Sequence, residues 1–119
     1  MSKNIIVIGS CNTDMVIKAD RLPVPGETII GGSFMMNPGG KGANQAVAAA
    51  RLGGFVTFVT SLGNDMYADI LKNHFKKEGI TTDYIIDDVN HPTGTALIFV
   101  ADSGETVSYT HLTLPTTPY

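Results

Sequence analysis

Three glycines in four positions, Gly39-Gly40-Lys41-Gly42, followed at once by Ala43-Asn44-Gln45-Ala46, form the stretch of this sequence best suited to holding a ligand. Without a Cβ the backbone can come close to a bound molecule and adopt angles closed to other residues. Ala43 to Leu52 contains no Gly, Pro or Thr and ends at Gly53-Gly54, so the spacing predicts a helix with a glycine C-cap. The glycine loop opens onto the N-terminus of that helix, where unsatisfied N–H groups and the positive end of the dipole favour an anion or an oxygen-rich ligand. The alanines also suit a helix lying close against a sheet.

Two well-known glycine motifs are tested by counting. A Walker loop needs a Gly five residues before its Gly-Lys pair and Ser or Thr after the Lys, and here Met35 and Gly42 occupy those places. The dinucleotide fingerprint needs its first glycine directly after a central strand and a small third residue, where this chain has Gln45. Further upstream, Ile5 to Ile8 is an apolar run ending at Gly9-Ser10, which reads as a central strand of a parallel, helix-covered sheet. Ligands of open α/β sheets bind beyond the carboxyl ends of the strands, so Asn12 and Asp14 stand where a site belongs; an Asx turn accounts for the same two residues.

The run Gly39-Gly40-Lys41-Gly42-Ala43-Asn44, with Ala46, Gly53 and Gly63 at fixed offsets, resembles the first signature of the ribokinase (PfkB-type) carbohydrate kinase family. The wording with Gln45 is most similar to the ribose-phosphorylating branch, and the resemblance runs from about Ile5 to Glu105. It implies an α/β fold: a Rossmann-like parallel sheet with flanking helices plus a small antiparallel β lid, of which this chain is the N-terminal portion, residues 1–105. It implies sugar contacts at Asn12, Thr13, Asp14, Gly39, Gly40, Lys41, Gly42, Ala43 and Asn44, with Ala96 and Ile98 touching the sugar from the lid. The activity implied is transfer of the γ-phosphoryl of ATP to D-ribose, with Mg²⁺ on the phosphates and a monovalent cation such as K⁺ as a further candidate. The alternatives are another sugar or nucleoside kinase of the family, or a fragment without activity. The catalytic base of the family, in a Gly-Ala-Gly-Asp motif, has no counterpart here and is expected beyond Tyr119 together with the ATP site. The resemblance also implies a homodimer formed through the lid.

A sugar presents hydroxyls that both donate and accept. Asp14 supplies acceptors only, Asn12 and Asn44 supply both kinds, and the amides from Gly39 to Gly42 supply donors without bulk. An unmet buried partner costs about 1–3 kcal/mol, so such a site discriminates among sugars.

The remaining elements position that stretch. Met15–Ala19 and Glu27–Phe34 read as lid strands joined by a Pro/Gly turn over Arg21–Gly26. Phe55–Thr60 reads as the next buried strand. Asn64 or Asp65 caps a helix running to about Glu78, with Ile70, Leu71 and Phe75 inside. Tyr84–Ile86 is a short strand and Asp87–Pro92 a loop; Thr95–Val100 is a lid strand closed by a turn over Asp102–Glu105. Residues 106–119 depart from the family. Val107–Leu114 still suits a lid strand, whereas Thr116-Thr117-Pro118 has no evident partner, and the tail reads as foreign to the gene.

With 119 residues, 43% hydrophobic content and a net charge of −3, the composition is that of one small domain and lacks the clustered Lys and Arg of a nucleic-acid binder. The apolar runs are too short for a signal-peptide core or a membrane span, which places the protein in the cytoplasm. Cys11 is the sole cysteine, so no internal disulfide or thiolate metal site forms, and His74 and His91 lack ligand spacing. A parallel sheet cut after a few strands leaves an apolar edge prone to aggregation.

Overall fold

The computed structural model describes residues 3–112. Leu114 and Thr116-Thr117-Pro118 of the tail lie outside the described residues. Strand β1 (Asn4–Ile8) pairs parallel with β4 (Phe55–Val59), setting Ile5 beside Val56 and Val7 beside Phe58. Between them in the chain come β2 (Asn12–Ala19), β3 (Ser33–Gly39) and helix α1 (Lys41–Arg51). After β4 follow β5 (Ser61–Gly63), α2 (Met66–Lys77), β6 (Ile86–Asp88), β7 (Thr95–Ala101) and β8 (Thr106–His111). Parallel pairing continues on the far side of β4, through a single bridge from Thr57 to Thr81 and then β5 against β6.

The parallel core buries Val56, Phe58, Leu62, Leu71, Phe75 and Ile80 with the small Ala43 and Ala46 of α1. Phe58 and Phe75 meet edge to face, with centroids 5.2 Å apart and planes at 85°, an arrangement favoured by the ring quadrupoles. Both helices lie on one face of the strands. The continuous apolar run at β1 predicts burial on both faces, yet Ile6 and Ile8 are 68% and 73% exposed, because no described element covers the second face.

The second sheet has the order β3-β2-β7-β8. It is mixed where an antiparallel lid was expected: its central pair, β2 and β7, is parallel. The strand expected at Glu27–Phe34 instead occupies Ser33–Gly39, because Gly31 and Gly32, at φ 113° and 87°, break the chain before it. Pro38 is tolerated in β3 because that strand is an edge. The glycine stretch is consequently no loop. Gly39 ends β3, Gly40 is the N-cap of α1, and the helix starts at Lys41, two residues before the expected Ala43.

Helix α2 follows its expected span, and Asp65 is its cap, accepting from Ala68 N at 3.0 Å. Ala68, Leu71 and Phe75 form the inner row; Ile70 lies off it and is 45% exposed, against expectation. The short strand expected at Tyr84–Ile86 falls two residues later, so Asp87 and Asp88 belong to β6 and only Val89 to Pro92 stay in a loop.

Burial pushes the Asp65 carboxyl up, but hydrogen bonds from Thr93, Ala68 and Tyr67 together outweigh it and hold the group below its ordinary 3.8. A carboxyl with a lowered folded-state pKa contributes stability that is present above the unfolded value and is lost as pH falls through the folded one. Unfolding free energies from urea titration are therefore expected to stay level from neutral pH to about pH 5 and to fall below about pH 4. Asp65→Asn should flatten part of that fall; an unchanged acid limb would show that Asp65 is not among the groups responsible.

Candidate functional site

Two turns meet at the base of the lid. The first, Gly9-Ser10-Cys11, leads from β1 into β2; the second, at Gly40, leads from β3 into α1, whose first residues are Lys41 and Gly42. A Cβ on Gly42 would lie 2.7 Å from the Gly9 backbone, and one on Gly40 would lie 2.7 Å from Ser10 O. Gly40 also has a φ of 102°, open to glycine at low cost. The contact is sealed by Ala43 N donating to Ser10 O at 3.1 Å. No side chain caps the other first-turn amides of α1, so they present donors and the positive end of the helix dipole at this junction.

Strand β2 starts at the same junction. Asn12 is 4% exposed, and its Nδ2 donates to Asp14 Oδ1 at 2.5 Å. The Asp14 carboxylate fills the space over Gly39: a Cβ there would lie 2.5 Å from Cγ and both oxygens. Asp14 pairs across the sheet with Asn37 on one side and Ala96 on the other, and Ala96 with Thr110. Residues paired across strands share a face, and neighbours along a strand alternate. Asn12, Asp14, Ala96 and Ile98 therefore share one lid face with Asn37 and Thr110, close to Gly39 and Gly40.

Thr13 points to the opposite face. It is buried, its N–H donates to Gly94 O at 2.9 Å, and its hydroxyl has no hydrogen-bond partner among the described residues. Gly42 and Ala43 are buried in the turn contact, while Lys41 and Asn44 are exposed at the start of α1. Asn44 also reaches the rim of a groove of about 630 Å³ between α1 and α2, lined by Pro38, Ala43, Val47, Arg51, His74 and Phe75. Asn12 and Asp14 do not line that groove. Asn37 and Thr110 escaped the sequence reading because only strand register brings them into the row of Asp14.

The sequence of residues 2–115 matches the model of the pfkB family carbohydrate kinases. The chain belongs to that family. Its pfkB relatives include the ribokinase of Bacillus subtilis, 47% identical over 105 residues that make up 88% of this chain and 36% of the relative, and the ribokinase of Mus musculus, 42% identical over 87% of this chain and 32% of the relative. Among solved structures, the ribokinase of Giardia lamblia superposes with a TM-score of 0.84 at 36% identity, covering 93% of this chain and 36% of that one. The Arabidopsis thaliana ribokinase complexed with ribose and ATP superposes at 0.84 and 33% identity, over 93% of this chain and 36% of that one. This pfkB chain thus spans about a third of the length of the relatives it matches.

The remaining groups here are quiet. Among the described residues no three His, Cys, Asp or Glu side chains converge to hold a metal ion, and no helix is long and apolar enough to cross a membrane. His91 Nδ1 lies 2.8 Å from Asp88 Oδ2, a loop contact far along the chain from Asp14. Cys11 is buried beside the site, and burial together with the charge of Asp14 pushes its thiol up to about 12. A thiol so rarely ionised is neither nucleophile nor ready target. Labelling with an aromatic disulfide at pH 8 is expected to be negligible in the native chain and rapid in urea. Fast native labelling would mean that the Gly9–Cys11 turn is not packed on α1 as described.

Proposed function

We propose that this chain is the sugar-binding portion of a ribokinase, the enzyme that phosphorylates D-ribose to D-ribose 5-phosphate with ATP. The observation that carries the reading is the Asp14 carboxylate, held by Asn12 over a glycine that leaves it room and facing along the sheet to Ala96. A carboxylate accepts from two vicinal hydroxyls at once, the Asn12 amide takes a hydroxyl from the other side, and the uncapped amides of α1 supply further donors. Gly39 and Gly40 let the ring approach the backbone. Lys41 and Asn44, exposed at the helix start, close the polar ring, and Ala96 and Ile98 give the apolar wall for the sugar's carbon face. Thr13, Gly42 and Ala43 act behind this surface, by fixing the strand and the turn.

The ribokinase relatives support ribose over its siblings, and a relative named deoxyribokinase, 40% identical over 97 residues, makes the 2-hydroxyl the group to test. Phosphoryl transfer rests on positioning, charge neutralisation and a base for the hydroxyl proton. The described residues offer no ligand set for Mg²⁺. We assign ATP, Mg²⁺, any activating K⁺ and the base to the part of the relatives' length that this chain does not span. A cytoplasmic location accords with a sugar and nucleotide substrate pair.

The lid face opposite Asp14 carries Phe34, Met36, Leu97, Phe99 and Tyr109, all exposed in the single chain. We assign it to a homodimer formed lid to lid.

Calorimetric titration of the chain with D-ribose, 2-deoxyribose, fructose and adenosine is expected to favour ribose, and Asp14→Ala to weaken it about 100-fold, or about 2.8 kcal/mol. Equal heats for ribose and fructose, or an unaffected Asp14→Ala, would overturn the reading. The chain by itself should turn over no ATP with any of them. In sedimentation the chain should run as a dimer and Leu97→Asp as a monomer; a monomeric parent would reject the lid contact.

A further inference from the structure

The geometry points to a second role for Asp65: we propose that, through Thr93, it fixes where lid strand β7 begins and so where Ala96 stands against Asp14. A helix cap needs one carboxylate oxygen for one amide, and Asp65 Oδ1 meets that need at Ala68 N. Besides its cap contacts at Ala68 and Tyr67, the same carboxylate holds Thr93, with Oδ2 accepting from Thr93 N at 2.9 Å and Oδ1 accepting from Thr93 Oγ1 at 2.6 Å. Thr93 is 2% exposed, and its hydroxyl accepts in turn from Gly63 N at 3.0 Å, so it donates and accepts at once and has a single setting. Gly63 is part of the same fitting: a Cβ there would lie 2.4 Å from Thr93 N.

The next residues carry that setting to the polar lid face. Gly94 O accepts from Thr13 N at 2.9 Å, and a Cβ on Gly94 would lie 3.0 Å from His111 O and 3.1 Å from Cys11 O. Thr95 then pairs with Thr13 and Ala96 with Asp14. Only Gly94 and Thr95, both tightly held, separate the clamp from the side chain opposite the carboxylate. Asp65 itself touches no sugar; it is a positioning residue that ties the parallel core to the lid. The effect on ligand affinity rests on the reading of that face as a sugar site, whereas the effect on β7 does not.

Asp65→Ser keeps a good helix cap but is too short to reach Thr93, Thr93→Val removes the hydroxyl while keeping the shape, and Thr93→Ser keeps the hydroxyl. In the 119-residue chain, D-ribose affinity by calorimetry and amide exchange by mass spectrometry are the two readouts. Asp65→Ser and Thr93→Val are each expected to weaken ribose about tenfold and to speed exchange in β7 about tenfold, with α2 still protected. The double variant should lose no more than either single one, as for two ends of one contact. Thr93→Ser should behave as the parent, and Phe75→Leu, which loosens the core elsewhere, should leave the ribose affinity unchanged. Parental exchange in β7 for both Asp65→Ser and Thr93→Val would overturn the proposal, as would Phe75→Leu reproducing the loss of affinity. If the parent chain binds no ribose, the sugar reading fails, and the β7 exchange rates still uphold or overturn the clamp.

Discussion

Backbone pressed against backbone, Gly9-Ser10 on Gly40-Gly42, is the contact from which the rest of this structure follows. Two methyl-sized additions would break it, since either glycine partner with a Cβ would stand within 3 Å of the facing main chain. The close approach puts the start of α1 at the carboxyl end of β1, beside the first residues of β2. Donors from a helix end and acceptors from a strand thereby reach one place although Gly39 lies 27 positions beyond Asn12 in the chain. The alanines of α1 serve the same end, because a helix with Ala43 and Ala46 inward sits nearer the parallel strands than one with leucines could.

Strand β2 divides its labour by the pleat. Asn12 and Asp14 face one way with Ala96 and Ile98; Met15 and Ile17 face the other with Phe34, Leu97 and Phe99. The lid therefore carries the Asn12–Asp14 polar pair on one side and a row of large apolar side chains on the other, and a shift of register by one residue would exchange them. Register is held at the base by the Thr13–Gly94 hydrogen bond and at the outer end by Asp102 N donating to Ala19 O at 3.0 Å. The Arg21–Glu27 pair sits beyond that end, in water, where an ion pair shapes the turn more than it stabilises the chain.

Much of this is written locally in the sequence. The cap at Asp65, the stops at Gly53 and Gly79 and the strand at Phe55 each depend on a few adjacent residues, and the structure has all of them. What was misread depends on distant partners. Glu27–Ile30 has the composition of a strand but pairs with no other strand among the described residues, whereas Met35–Pro38 pairs fully with β2 despite its proline. Ile6 and Ile8 are apolar for a covering layer that no described residue supplies. Asn37 and Thr110 became candidates only through register, and the parallel pairing of β2 with β7 cannot be read from either strand alone. Asp65 was legible as a cap, but its hold on Thr93, 28 positions further along, was not.

Asn12, Gly39 and Gly94 all stand where the chain passes between the core and the lid. In any swing of the lid about that root they lie close to the axis and travel least, whereas the tip near Pro25 and Gly26 has the longest lever and sweeps the widest arc. The two ends of the lid are thus mechanically separate: the tip can be displaced widely while the atoms nearest the Asp14 carboxylate hardly move.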